Sequence, residues 1–382
     1  MLSCLSPALS SPIYSPNGIG LLIPYEYGMV RGMGGAGIAN DSGKTFIREN
    51  PALLASVKQH TYSFGASYDR NTAYTLGSDN PVFAKTRLEL MTLMIPLAKG
   101  IVFGWGLSPL SRTDSVIDFT GEDYTDRIEF TGGLNVSTVG IAGSYRDFIR
   151  FGLAFNYNFG MIQEKWTRDF IFDDDLFETS DAIKSKYKGY STTVGVLARV
   201  YRNTTVGLGY TGKTNLKLAV HVLPGHYSNP EQLYDKMNYS LPSSWRFGVT
   251  TVIKRRVTAS MDLSLAQWED AMKTSREKEM YTNTYRFGAG VRLNPSQEPG
   301  ASFIAKTPVS VGFKFGTMYY KSYPKVDTVF ERAVTLGIEL PFQENIASLI
   351  TSFEIGTRGD KSKNGWDEIY TSIGLLLVGT IK

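Results

Sequence analysis

The sequence contains few of the residues on which disulfide-bonded proteins and metalloenzymes depend. Its 382 residues include one cysteine, Cys4, and three histidines, His60, His221 and His226. A single cysteine excludes an internal disulfide framework and a cysteine-based metal site. The histidines show no H-E-x-x-H or comparable spacing. We therefore predict no metal, no cofactor and no catalytic residues, and we classify the chain as a non-enzyme.

Long apolar runs and blocks of one charge are also missing. No run approaches the ~18–20 residues of a membrane-spanning helix. The net charge is only +4 and the basic residues are scattered, so no nucleic-acid footprint is visible. The start of the chain, MLSCLSPALSSPIYSPNG, has no basic region and only a weak apolar stretch. We interpret it as a leader that was clipped or wrongly assigned.

Glycine (38), tyrosine (22) and phenylalanine (21) are the abundant residues, a combination typical of closely packed strands with aromatic girdles. From about residue 59 the chain is a series of about fourteen alternating segments. In WRFGVTTVI, Trp245 and Phe247 fall on one face, and Arg246 and Gly248 fall on the other. A period of two with one apolar face is the strand signature. We therefore predict an all-β protein.

The connections indicate how these strands are arranged. Hairpin-length turns at 98–100, 146–147, 202–203 and 254–256 alternate with long polar connections at 72–86, 109–126, 168–187, 219–237 and 269–280. This alternation predicts a transmembrane antiparallel up-and-down β-barrel, with short turns at one end and long loops at the other. The connection at 294–306 is long where a short turn is expected. A large soluble β-sandwich remains the alternative.

The two faces of each strand differ in the way a membrane barrel requires. The outward face is apolar throughout, whereas the inward face mixes Gly, Ser and Thr with charges. The predicted inward charges are Arg150, Arg199, Arg246, Asp262, Arg286, Arg292, Lys314, Glu339, Glu354 and Arg358.

A glycine-rich stretch, RGMGGAGIANDSGKTFIRENPALLA (31–55), matches G-x-G-x-x-G. No βαβ unit surrounds it, and no acidic residue follows at the spacing of a dinucleotide site. Glycine instead allows close backbone packing, so we predict an N-terminal segment and lumen hatch at 1–58, followed by the barrel at 59–382. The predicted hatch residues are Gly32, Gly34, Gly35, Gly37, Asn50, Pro51 and Ala52.

This stretch, together with LPSSWRFGVTTVIKRRVTASMDLSLAQWED (241–270), resembles the FadL family (FadL, OmpP1, TodX) of outer-membrane transporters. The resemblance implies passive uptake of hydrophobic compounds, foremost long-chain fatty acids. It also implies an external apolar groove, a lumen pocket and a hatch-controlled lateral exit. The implied partners are outer-membrane lipid, the cargo and the outer-membrane assembly machinery, with no nucleic acid and a monomeric barrel. The alternative is a hatch-bearing barrel that serves protein secretion or a structural role without small-molecule cargo.

Two sets of residues are predicted to contact cargo. In the external loops they are Phe170, Phe172, Leu176, Phe177, Leu223, Leu233 and Tyr234, for which ordinary loop packing is the alternative. In the lumen they are Arg246, Arg286 and Lys314, for which the alternative is an ion-pair network with Asp262, Glu339 and Glu354. We hypothesise that Arg286 contacts an anionic cargo.

Overall fold

The structure is a computed structural model. It describes residues 8–381 except 11, 45, 47, 75–81, 99, 122, 147, 171–178, 226–230, 255, 297, 299, 301, 322–325 and 343–345. Within this part of the chain no helix is long and apolar enough to cross a membrane. The α-helices are α1 (Met29–Gly32), α2 (Trp268–Met272), α3 (Phe303–Lys306) and α4 (Lys361–Asn364), and 3₁₀ helices cover Pro51–Ser56 and Lys278–Met280.

The strands form a closed antiparallel ring. They are β1 (Ala8–Ser10), β2 (Leu21–Leu22), β3 (His60–Tyr74), β4 (Val82–Ala98), β5 (Ile101–Pro109), β6 (Ser111–Thr120), β7 (Tyr124–Tyr145), β8 (Ile149–Phe170), β9 (Thr179–Tyr201), β10 (Thr204–Thr211), β11 (Thr214–Leu223), β12 (Gln232–Leu241), β13 (Ser244–Ile253), β14 (Val257–Ala266), β15 (Thr284–Leu293), β16 (Val309–Thr317), β17 (Phe330–Phe342), β18 (Ala347–Gly359) and β19 (Asp367–Ile381). Strand β19 pairs with β3 and closes the ring. Because β5/β6, β10/β11 and β12/β13 are each one interrupted wall strand, the described residues form a barrel of 14 strands, and the predicted fold class is confirmed.

The wall has its apolar side outward. On β8, Phe151, Leu153 and Phe155 are about half exposed, whereas Ala154 and Asn156 on the opposite face are buried. A soluble sandwich or barrel buries its apolar face instead, so this arrangement is that of a sheet solvated by lipid. The predicted inward charges include buried Lys314 and Glu354 on two other wall strands.

The predicted long loops are largely wrong, because much of their sequence belongs to strands. Strand β8 continues to Phe170, β9 begins at Thr179, and β6 occupies most of the predicted loop 109–126. Strands β7, β8 and β9 have 22, 22 and 23 residues, whereas about 9–11 residues span a bilayer. The remainder continues the sheet into water, and its polar composition reflects that solvent rather than irregular structure.

The short turns lie where they were predicted. Strand β7 ends at Tyr145 and β8 begins at Ile149, while only Arg202 and Asn203 separate β9 from β10. The long connection 294–306 holds α3 and folds back on itself, with the Ser296 N–H donating to the Ala305 carbonyl at 2.8 Å.

Two neighbouring wall strands break at the same height, which the alternation did not predict. The register between β10 and β13 ends at the Thr211–Ser244 pair, and the register between β11 and β12 resumes at Thr214–Leu241. Pro242 lies in the break and has no N–H to give to the ladder. Buried positions are odd-numbered before the break on β10 and even-numbered after it on β11.

One seam of the wall is closed by the N-terminal segment. Strand β4 pairs with β5 from Met91, so among the described residues its Val82–Leu90 part pairs only with β3. The facing edge of β6 pairs instead with β1 and β2 from the start of the chain. We call the space between Val82–Leu90 and β6 the seam.

Candidate functional site

The backbone N–H groups of the glycine-rich stretch bind the carboxylate of a residue on the barrel wall. The N–H groups of Gly37 and Ile38 donate to Oδ2 of Asp262 at 2.8 and 2.9 Å. Arg246 donates to the same oxygen at 3.0 Å. Consecutive backbone N–H groups suit an anion, but Asp262 of β14 already occupies them. The stretch therefore fastens the N-terminal segment to the wall.

Other predicted hatch residues contact the neighbouring strands β16 and β17. The Gly34 N–H donates to Oγ1 of Thr335 on β17 at 2.9 Å. Gly34 has φ of 68° and Gly35 has φ of 82°, values that glycine adopts without strain. A Cβ on Gly32 would meet the Ser310 hydroxyl, so this position also requires close packing.

The predicted Asn50-Pro51-Ala52 turn begins the 3₁₀ helix. The Asn50 Oδ1 accepts from the Ala52 N–H at 3.2 Å, and its Nδ2 donates to the carbonyls of Ile38 at 2.8 Å and Val196 at 3.3 Å. Asn50 is fully buried. It thus joins two parts of the N-terminal segment to strand β9.

Ion pairs complete the attachment of this segment. They join Arg31 to Glu89 at 2.8 Å, Lys44 to Glu339 at 2.5 Å, and Glu26 to Lys314 at 3.2 Å. Residues 26–44 are therefore bonded to strands β4, β16 and β17. The Arg31–Glu89 and Glu26–Lys314 pairs are buried, and a buried pair is costly to break by removing one partner.

Two of the predicted lumen cations form ion pairs with carboxylates of the wall. Arg246 contacts Asp262, and Lys314 contacts Glu354 at 2.6 Å. Both are among the pairings expected of a stiffening network. Arg246 also donates to the carbonyl of Gly35.

Arg286 is placed differently from the other two cations. Its ion-pair contacts are longer, 3.8 Å to Glu26 and 3.6 Å to Glu331, and a quarter of its side chain is exposed. It lines a cavity inside the barrel. Its predicted contact with an anionic cargo remains a prediction.

The cavity has a volume of about 230 Å³ and lies between the N-terminal segment and the wall. One part of its lining is apolar and includes Leu22, Leu241 and Trp268. Trp268 and Tyr319 pack with their ring centroids 4.3 Å apart. The polar lining includes Tyr25, Arg48, Glu49, Asn156, Thr193, Arg246 and Arg286.

A smaller cavity of about 80 Å³ lies beside the seam. Its lining includes Arg87, Arg112 and Asp114, and the Arg87–Asp114 ion pair at 2.8 Å crosses from β4 to β6. Leu21–Pro24 lines both cavities. This short piece of chain is therefore a partition between the larger cavity and the seam.

The predicted external-loop residues lie apart from the cavities. Among the described residues, Phe170, Leu223, Leu233 and Tyr234 line neither cavity. Leu233 and Tyr234 belong to β12 and are strongly exposed. The positions Phe172, Leu176 and Phe177 lie outside the described residues.

Sequence reasoning missed the cavity residues of the N-terminal segment. Tyr25, Arg48 and Glu49 line the cavity, but the predicted hatch residues emphasised glycine and the Asn50–Ala52 turn. A usable signal was the PYEYG sequence at 24–28. Aromatic and acidic residues that flank glycines in a buried segment need partners.

Comparison with known protein families matches residues 6–378 to the family described as BamG. The chain belongs to the BamG family. A search of curated proteins found no match.

Solved structures share the fold of this BamG-family chain. A Pseudomonas aeruginosa FadL homologue has 10% identity over 95% of this chain and 100% of its own, with a TM-score of 0.65. The P. putida toluene transporter TodX has 11% identity over 94% and 99%, with a TM-score of 0.62. The CymD monoaromatic hydrocarbon channel has 13% identity over 95% and 98%, with a TM-score of 0.61. The resemblance to FadL-type barrels is thereby confirmed as a likeness of fold.

Proposed function

We propose that this BamG-family protein is an outer-membrane channel for small hydrophobic compounds. The observation that carries the proposal is the 230 Å³ cavity between the N-terminal segment and the wall. Its volume lies below the ~300–1,000 Å³ of pockets for drug-sized ligands, which favours a small cargo. Proteins of the same fold are described as a toluene transporter and a monoaromatic hydrocarbon channel, which supports cargo of that class.

The proposed route has three stages. Apolar cargo is captured at exposed residues such as Leu233 and Tyr234 on β12, because each buried CH₂ contributes ~0.8 kcal/mol. It passes into the cavity and leaves sideways through the seam. The N-terminal segment acts as the hatch, and movement of Leu21–Pro24 joins the cavity to the seam.

Within the class of hydrophobic compounds, the sequence predicted long-chain fatty acids as the cargo. Arg286 is the lumen cation best placed to meet a carboxylate, because it lines the cavity and makes only long ion-pair contacts. The opposing consideration is that Glu26, Glu49 and Glu331 line the same cavity.

A disulfide that ties the N-terminal segment to the β6 edge of the seam tests the route. Leu22 and Ser111 are paired residues of β2 and β6, so we would introduce Leu22→Cys and Ser111→Cys in a chain carrying Cys4→Ser. We expect flux of a hydrophobic dye into proteoliposomes to stop when the pair is oxidised and to recover on reduction. The control tethers Ser63 to Val378, paired residues of β3 and β19, and should not alter flux. Equal flux in the oxidised and reduced seam variant would refute the proposed exit.

A second candidate is a structural role beside the outer-membrane assembly machinery, to which the BamG match points. The favouring observation is β12, which pairs only with β11 among the described residues and exposes Leu233, Tyr234 and Met237. Such an edge suits protein contacts. In the tethering experiment this candidate predicts no dye flux in either redox state.

A further inference from the structure

The larger cavity combines an apolar cluster with a polar cluster, and each is held together by its own contacts. In the apolar cluster, the Trp268 ring lies tilted by 30° against Tyr319, and both pack in the core that contains Leu241. In the polar cluster, the Arg48 guanidinium lies 5.4 Å from the ring centroid of Tyr25. A ligand in this cavity therefore meets both kinds of surface.

The polar cluster continues from the N-terminal segment to the wall. Arg48 contacts Glu49 at 3.4 Å, and Glu49 contacts Arg246 at 3.8 Å. Acidic and basic side chains thus alternate along it.

Three atoms of this cluster are buried without a hydrogen-bond partner among the described residues. They are the Tyr25 hydroxyl, Nε of Arg246 and Oε2 of Glu49. Tyr25 and Arg246 are more than nine-tenths buried, and buried polar atoms normally have partners. Burial raises the pKa of the Tyr25 phenol, so this hydroxyl keeps its proton at neutral pH and can donate. The cluster therefore has two donors and one acceptor without hydrogen-bond partners, on residues that line the cavity.

The charges around the cavity do not favour an anion. Its basic residues Arg48, Arg246 and Arg286 are matched by Glu26, Glu49 and Glu331. A carboxylate would accept from Tyr25 but would face Glu49, whereas a hydrocarbon would leave all three polar atoms unpaired. A hydroxyl group can accept from Tyr25 or Arg246 and donate to Glu49, because it is both donor and acceptor.

We infer that the cavity binds small amphiphiles with an uncharged hydroxyl head, in preference to hydrocarbons and carboxylates. This inference rests on the proposed function, since it takes the cavity to be the cargo site. The hydroxyl is held by Tyr25, Arg246 and Glu49, and the apolar body lies against Trp268 and Leu241.

The test compares 1-octanol, octanoate and octane with the full-length protein in detergent. Binding is followed by tryptophan fluorescence, because the buried Trp268 lines the cavity. We expect 1-octanol to bind most tightly, and Tyr25→Phe to weaken its binding about tenfold by removing one hydrogen bond while leaving octane binding unchanged.

Tyr27→Phe is the matched control. Tyr27 is equally buried, its hydroxyl is also unpartnered, and its ring lies edge-on to Tyr25 at 5.0 Å, but it does not line the cavity. Tyr27→Phe should leave all three affinities unchanged. Tighter binding of octanoate than of 1-octanol, or equal effects of the two variants, would overturn the inference and leave the channel proposal standing. Absence of binding by all three compounds would overturn both.

Discussion

At the scale of single residues, Asp262 is the central attachment point of the N-terminal segment. One carboxylate oxygen accepts from two backbone N–H groups and from Arg246. Its remaining oxygen, Oδ1, accepts no hydrogen bond within the described chain. The glycine-rich stretch looked like a nucleotide loop because an internal carboxylate and a phosphate make the same demand on backbone N–H groups.

We expect Asp262→Ala to weaken this attachment by about 3 kcal/mol, the lower end of the cost of breaking a buried ion pair, because Glu49 still lies 3.8 Å from Arg246. Hydrogen–deuterium exchange at the amides of Gly37 and Ile38 measures it directly and should accelerate. Asp126→Ala is the control, since Asp126 pairs with Arg168 in an exposed ion pair that contributes only about 0–1 kcal/mol. Unchanged exchange in Asp262→Ala would show that other contacts hold the stretch.

At the scale of strands, the wall is shaped to receive the segment. Gly312 on β16 faces the backbone of Met33 and Gly34, and a Cβ there would overlap both residues. Gly195 on β9 faces the side-chain oxygen of Asn50 and the backbone nitrogen of Pro51. Glycines on the inward side of these strands are thus recesses for the N-terminal backbone.

We expect Gly312→Ala to displace the segment, because overpacking typically costs about 1–3 kcal/mol. Limited proteolysis of the N-terminal segment in the intact barrel should become faster. Gly143→Ala provides the matched control, since the nearest atom to its added Cβ is the Gly100 carbonyl oxygen at an ordinary 3.7 Å. Faster cleavage of both variants, or of neither, would contradict a specific recess at Gly312.

The strand architecture was predictable because alternation and turn length are local properties. Trp245 and Phe247 face outward and Arg246 faces inward as expected. The parts of β6, β8 and β9 that extend into the predicted loops were missed. A strand that lies in water and a loop that lies in water have similarly polar sequences. The break at Pro242 was missed because the residues on either side of it still alternate.

The site was less predictable than the fold. The Gly37–Asp262 bond joins residues 225 positions apart, and the cavity gathers residues from both ends of the chain. No local pattern indicates which buried groups will lack partners. The ion pairs of the predicted lumen cations could not be predicted, because they depend on carboxylates that only the closed barrel brings near.

At the scale of the whole molecule, Glu26 couples the segment to several strands. Burial alone would raise the pKa of its carboxyl, but Lys314, Arg286 and Arg246 together hold that pKa below its usual 4.5. Glu331 and Glu354 also face this group of cations. A lowered pKa in the folded state means that the ionised carboxylate favours the attached state.

We expect the attachment to be complete above pH 4.5 and to weaken as the pH falls through the lower folded-state value, because Glu26 then takes up a proton. Single-channel conductance in planar bilayers should rise over that window. Glu26→Gln cannot ionise, so it should show higher conductance already at neutral pH and a smaller change on acidification. The same acid response in Glu26→Gln and in the unmodified protein would assign the effect to another group.

The contacts of the N-terminal segment also bear on the order in which the parts of the barrel assemble. Its residues contact strands from opposite sides of the ring, such as β9 through Asn50 and β17 through Gly34. Its strands β1 and β2 also pair with the edge of β6 at the seam. Because these anchors form with many strands at once, we expect the N-terminal segment to be bound to the earlier strands before β19 pairs with β3 and closes the ring.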